Sequence, residues 1–108
     1  MKRGDLLIVV LSGDYGKPRP AVLVQSEALF DAESLLVCPM TSDASTAGPF
    51  RMMIAPGPEN GLGAPSVIMT DKVTAVPRRR CRERIGQLTA AELSALDSSL
   101  MFVLGLGD

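Results

Sequence analysis

Arg19 is the residue best placed to do chemistry, because it stands between Pro18 and Pro20 at the mouth of the apolar run Ala21-Val22-Leu23-Val24. Proline fixes its own φ and biases the preceding residue toward extended backbone, so Pro20 holds Arg19 in a β-like pose just before a strand. A guanidinium presented in this way suits a phosphate, since its planar fork carries up to five fixed N–H donors and keeps its charge. The alternative is a surface loop with an incidental arginine, although loops are also the usual home of binding residues. Thr41-Ser42, just after Pro39, read on their own as turn or N-cap residues, and Asp71 as a bulge or turn residue. Lys17, Arg51 and Lys72 suit phosphate contacts or simple solubilisation of the surface.

What is missing narrows the chemistry further. The chain has no histidine, which excludes His-assisted Ser or Cys nucleophiles, His-ligated zinc and the two-histidine design for RNA cleavage. Two cysteines, Cys38 in an apolar segment and Cys81 in a basic one, make a structural zinc site improbable without histidine. No signal peptide is evident and no apolar stretch approaches about 18 residues, so a cytoplasmic chain with reduced thiols and no membrane contact is expected.

Aromatic residues are 4% of the chain, which argues for an aliphatic core and against extensive stacking of bases. Tyr15, Phe30, Phe50 and Phe102 are the rings available. Phe50 reads as core, or as a groove-facing ring that stacks a base for about 1–3 kcal/mol. The net charge of −1 excludes a histone-like electrostatic binder. Five of the eleven basic residues nonetheless fall in Arg78-Arg79-Arg80-Cys81-Arg82-Glu83-Arg84, either a phosphate or acidic-peptide surface or a solvated edge strand.

The elements that must position these groups are short. With 108 residues, one domain spanning 1–108 is expected, small enough for an oligomer interface to add much of its stability. Strands are predicted at 5–11, 21–25, 34–38 with Pro39 as the stop, 50–54, 66–70, 72–76 and 83–85. The fifth and sixth read as two strands or one bent near Asp71, and Ser26 to Phe30 reads as one helical turn. Segment 55–61 is non-regular. Thr89 and Glu92 form a capping-box pattern, followed by Leu93, Leu96, Leu100, Val103 and Leu104 at helical spacing and closed by Gly105 and Gly107. The fold class is mainly β with a C-terminal helix, a small curled β-barrel on which the helix packs.

Taken in order, Arg3-Gly4-Asp5-Leu6, Gly16-Lys17-Pro18-Arg19-Pro20-Ala21-Val22-Leu23-Val24-Gln25, Cys38-Pro39-Met40-Thr41-Ser42, Gly61-Leu62, Pro65 to Lys72 and Ile85-Gly86-Gln87-Leu88 resemble the MazF/PemK family of toxins. The resemblance runs essentially end to end and is closest to members that carry Gly-Lys-Pro-Arg-Pro. It implies an SH3-like, CcdB/MazF-like barrel, a homodimer, a cognate antitoxin, and metal-independent, cofactor-free cleavage of single-stranded RNA. The family's catalytic Arg and Thr map onto Arg19 and Thr41, and its loop acid onto Asp14. Lys17-Pro18 replace a single residue of many members, and Met69 stands where some place a further active-site Arg.

RNA cleavage without a metal requires attack by the 2′-OH on its own phosphodiester, giving a 2′,3′-cyclic phosphate and a 5′-OH. Arg19 would offset charge on the nonbridging oxygens, where loss of one preorganised donor costs on the order of 100-fold or more in rate. Thr41 would bond the same phosphate or hold the 2′-OH in line. Asp14 or Asp71 would supply the base, with Tyr15, Lys17, Ser42, Phe50, Arg51 and Lys72 as further RNA contacts. Such a site is expected to show weak pH dependence near neutrality, since no histidine titrates there. A disordered antitoxin tail with acidic and apolar residues would occupy the RNA groove, with the basic run as another landing surface. DNA contact is expected only through the antitoxin. The competing readings are a CcdB-like inhibitor of DNA gyrase, which needs no phosphate clamp, and an inactive member of the family.

Overall fold

The computed structural model describes residues 1–13, 16–29 and 31–107. Its strands are β1 Asp5–Val10, β2 Pro18–Leu23, β3 Ser34–Thr41, β4 Met53–Ile54, β5 Ser66–Ile68, β6 Thr74–Pro77 and β7 Cys81–Gln87, followed by helix α1 Ala90–Val103. Antiparallel pairing gives the order β4-β5-β3-β2-β1-β7, with β6 also on β3. This curled sheet with a C-terminal helix is the expected class, and 70–72 is a 3-10 turn that separates β5 from β6. Among the described residues no helix is long and apolar enough to cross a membrane.

The central strands β1, β2 and β3 carry apolar residues to both faces because both faces are largely buried there. Leu6, Val22, Cys38 and Met40 pack on one side with Ile68, Leu96 and Leu100, while Leu7, Ala21, Leu23, Leu35, Val37 and Val76 fill the other. Alternation along each strand sends successive residues to opposite clusters. Helix α1 begins as anticipated: Thr89 Oγ1 accepts from the Glu92 amide at 3.1 Å, and Glu92 accepts from the Thr89 amide at 2.8 Å. Arg3 docks the helix, donating to Asp97 at 2.6 Å and to the Val24 carbonyl at 2.9 Å.

Pro39 does not stop β3, which runs on to Thr41. The strand changes partners there: residues 34–37 pair with β6, 37–39 with β2, and 40–41 with β5. A proline is tolerated at such a handover, and its carbonyl still accepts from the Met69 amide at 2.8 Å. Strand β2 likewise starts earlier than the sequence pattern suggests, at Pro18, so that Arg19 lies within the strand opposite Val9. Both prolines precede Ala21, the first β2 residue paired with β3, and so sit where β2 has a strand on one side only. Strand β7 covers the whole of 81–87 rather than 83–85, and β4 is only two residues long. The single helical turn expected at 26–30 is a 3-10 turn at Glu27–Leu29, and Phe30 lies outside the described residues. Leu104 caps α1 and is 58% exposed, so the buried stripe of the helix ends at Leu100.

Candidate functional site

Strands β2 and β3 pair through Ala21–Leu23 and Val37–Pro39, and just beyond that pairing Arg19 near the start of β2 and Thr41 at the end of β3 come to one surface. Both residues are half-buried, and both line two adjoining concavities of about 470 and 360 Å³. Lys17 and Ser42 line the larger one, whereas Arg51, Lys72 and Thr46 line the smaller. Asp14 and Tyr15 lie outside the described residues.

Thr41 is oriented by its own turn. Its hydroxyl oxygen accepts from the Asp43 amide at 3.2 Å, a local side chain to backbone bond that leaves the hydroxyl proton for another acceptor. Asp43 in turn caps the 3-10 turn Ala44–Thr46, accepting from the Ser45 hydroxyl at 2.6 Å and the Ser45 amide at 3.1 Å. Those bonds hold the Asp43 carboxyl below its ordinary range, so it stays ionised and committed to the turn.

Arg51 and Asp71 form a bidentate pair, Nε to Oδ1 at 2.7 Å and Nη2 to Oδ2 at 3.0 Å. The hydrogen bonds from Arg51 lower the Asp71 pKa, and the same bonds raise that of Arg51. Asp71 is therefore a weakened base with both oxygens engaged, and it does not line either concavity. The pair takes up the Nε–Nη2 edge of Arg51 and leaves Nη1 as the donor that can reach an anion. Phe50 is not brought to this wall either: its ring lies 6.0 Å from that of Phe102 on α1.

Glu83 is a wall residue that the sequence pattern conceals. It lines the larger concavity with Arg19 and Thr41, alongside Ile85. Strand β7 is irregular in its pairing with β1 between Cys81 and Gly86, so no simple period in the sequence, already crowded with arginines, singled Glu83 out. The facing wall is the 61–64 loop, pinned by buried Asn60, whose side chain donates to the Ala55 carbonyl at 2.9 Å and accepts from the Gly57 and Leu62 amides at 3.1 and 3.0 Å. Among the described residues there is no cluster of three metal-ligating side chains. The arrangement can grip a phosphate with guanidinium and hydroxyl donors while a carboxylate stands on the same wall.

Residues 2–104 match the family of PemK-like, MazF-like toxins of type II toxin-antitoxin systems. A probable endoribonuclease MazF of Mycolicibacterium smegmatis is 36% identical over 107 residues, covering 98% of each chain. Among solved structures, Mycobacterium tuberculosis toxin MazF-mt6 superposes with a TM-score of 0.80 at 24% identity, covering 96% of this chain and 99% of the other. An endoribonuclease from a mycobacterial species, in complex with its cognate antitoxin, also gives 0.80 at 19% identity, covering 100% and 98%. At those identities the two structures speak to the fold.

Proposed function

Because the chain belongs to the PemK-like, MazF-like toxin family of type II toxin-antitoxin systems, we propose that it is an endoribonuclease that cuts single-stranded RNA at short sequence motifs and so arrests translation and growth. The observation that carries this reading is that Arg19 and Thr41 both line the same two adjoining concavities.

The reaction is an internal transesterification. The 2′-oxygen forms a bond to phosphorus, the bond to the 5′-oxygen breaks, and the products carry a 2′,3′-cyclic phosphate and a 5′-OH. Arg19 donates to the nonbridging oxygens as charge grows there, and Thr41 donates its hydroxyl proton to the same phosphate. Lys17, Arg51 and Lys72 hold neighbouring phosphates, with Arg51 steadied by Asp71. The 2′-OH proton needs an acceptor. Glu83 is the carboxylate among the described wall residues and takes that part, returning the proton to the departing 5′-oxygen. One guanidinium, hydroxyls and a single carboxylate suit phosphate better than a divalent cation, which prefers several oxygen ligands.

The same reading makes the protein a cytoplasmic homodimer held in check by a cognate antitoxin, whose acidic and apolar tail fills the RNA groove; contact with DNA arises only through that antitoxin. The fold shared with an antitoxin-bound endoribonuclease supports the partner. The exposed side chains of Met101, Phe102, Leu104 and Leu106 provide an apolar surface suited to protein contact.

The test is cleavage of a long single-stranded RNA in excess EDTA by wild type, Arg19→Ala and Thr41→Ala, with the ends mapped. Cuts with 5′-OH ends, lost by on the order of 100-fold or more in folded Arg19→Ala, are expected. Uncut RNA across varied sequences with folded wild type would overturn the reading.

A further inference from the structure

A third concavity, of about 280 Å³, continues the groove beyond the Arg19 and Thr41 wall. It shares Leu11, Pro39 and Lys72 with the concavity that holds Arg19, Thr41 and Arg51. Its lining is largely aliphatic, including Val10 and Val76, with the hydroxyl residues Ser12 and Thr74 and with Lys72 and Arg80 as its cations. No carboxylate lines it; among the described residues Arg80 has no ion pair, while Lys72 lies in the field of the neighbouring Asp71 without a salt bridge to it.

Arg80 reaches this place because the 3-10 turn Arg78–Arg80 divides the basic run. Arg78 donates from its side chain to the Ala32 carbonyl and from its backbone to the Glu33 carbonyl. Arg78 and Arg79 line a different concavity with Glu33. Arg84 is taken by Asp5 at 3.2 Å and Gln87 at 2.8 Å. Of the three arginines in the turn, Arg80 is the one on the groove side.

Resting on the ribonuclease reading, we infer that this concavity is a nucleotide subsite. It holds one unpaired nucleotide flanking the scissile linkage, with the base on the aliphatic lining and a phosphate between Lys72 and Arg80. An apolar floor with a few polar groups suits a splayed base, and two cations in a lining without carboxylates suit its phosphate. Continuity with the catalytic wall favours RNA over an acidic protein segment.

The experiment measures binding of a short RNA spanning a mapped cut site, made uncleavable by a 2′-deoxy sugar at the attacking nucleotide, as a function of salt. Loss of one phosphate contact on a single strand should lower the slope of log K against log salt by about 0.7, equivalent to about fourfold in affinity at 0.15 M. Arg80→Ala is expected to show that loss, whereas Arg79→Ala, which removes the same charge from the same turn, should keep the wild-type slope. Trimming the RNA one nucleotide at a time should reveal one nucleotide whose removal weakens wild type but not Arg80→Ala. Equal slopes for the two variants would overturn the subsite. So would an Arg80→Ala protein that binds RNA normally and loses affinity only for an antitoxin tail peptide, which assigns the surface to that partner. Failure of wild type to cut or bind any RNA would instead sink the ribonuclease reading, and the subsite with it.

Discussion

Replacing Gly61 with alanine probes the contact that shapes the wall opposite Glu83. Gly61 has φ +67°, and a Cβ there would overlap the backbone carbonyl of Ile85 on β7. A carbonyl inside a strand cannot swing aside as a side-chain tip can, so the loop must lift. The left-handed conformation costs an L-residue about 1–2 kcal/mol, and forcing extra volume into a packed contact about 1–3 kcal/mol. Together they give about 2–5 kcal/mol. For a domain of this size about 1 kcal/mol shifts the midpoint by roughly 4–8 °C, so Tm should fall by roughly 8–40 °C. Lifting the loop also strains the Gln87 amide bond to the Glu59 carbonyl, 2.9 Å, and exposes Leu62, now 9% accessible. The assay is thermal unfolding followed by circular dichroism at one protein concentration, since any self-association makes Tm concentration-dependent. Gly63→Ala is the control, because its Cβ would meet nothing within 4 Å and its φ is ordinary. A difference between the two variants below about 5 °C would refute the reasoning, since even the lower bound of about 2 kcal/mol corresponds to roughly 8 °C.

Two other outcomes follow from the ionisable groups. The Asp71 pKa is lowered in the folded state by Arg51, so its stabilisation is complete above the unfolded value near about 4 and disappears as pH falls through the folded one. Wild type should therefore lose stability faster than Asp71→Asn on acidification below about pH 4, a contrast that urea melts across that range would read; parallel losses would remove the pair from the account. Burial pushes the Cys38 thiol up to about 12, so in a Cys81→Ser background no thiol should react with a disulfide reagent at about pH 8 until denaturant is added. Prompt labelling of that folded variant would contradict the burial of Cys38.

Local chemistry was the legible part of this sequence. The Thr89 and Glu92 cap could be read because both partners lie within one turn, and the aliphatic runs could be read because both sheet faces are buried. Pro39 misled because its tolerance depends on β3 changing partners, which no window around the proline contains. Leu104 misled for a related reason, since helical spacing continues past the point where the sheet stops supplying a surface to pack on. In the site, Arg19 and Thr41 were readable as types, but their meeting on one wall depends on β2 and β3 being brought side by side. Asp71 suggested a base until its partner was placed, and that partner is 20 residues away in sequence. Glu83 was hidden by its arginine neighbours.

Strand β3 has a consequence for how activity is acquired. Its eight residues are held by β6, β2 and β5 in succession, and Thr41 stands at its far end. The segments that pair with it come from both earlier and later parts of the chain, and the loop that walls the site closes onto β7, almost at the start of the helix. A ribosome-bound or truncated chain lacking β7 has Arg19 and Thr41 but no complete cleft to hold them. Loops closed over such distances favour slow, concerted folding. Toxicity in such a protein is expected only once the whole fold is complete, because the cleft draws its walls from β2, β3, β7 and the 61–64 loop.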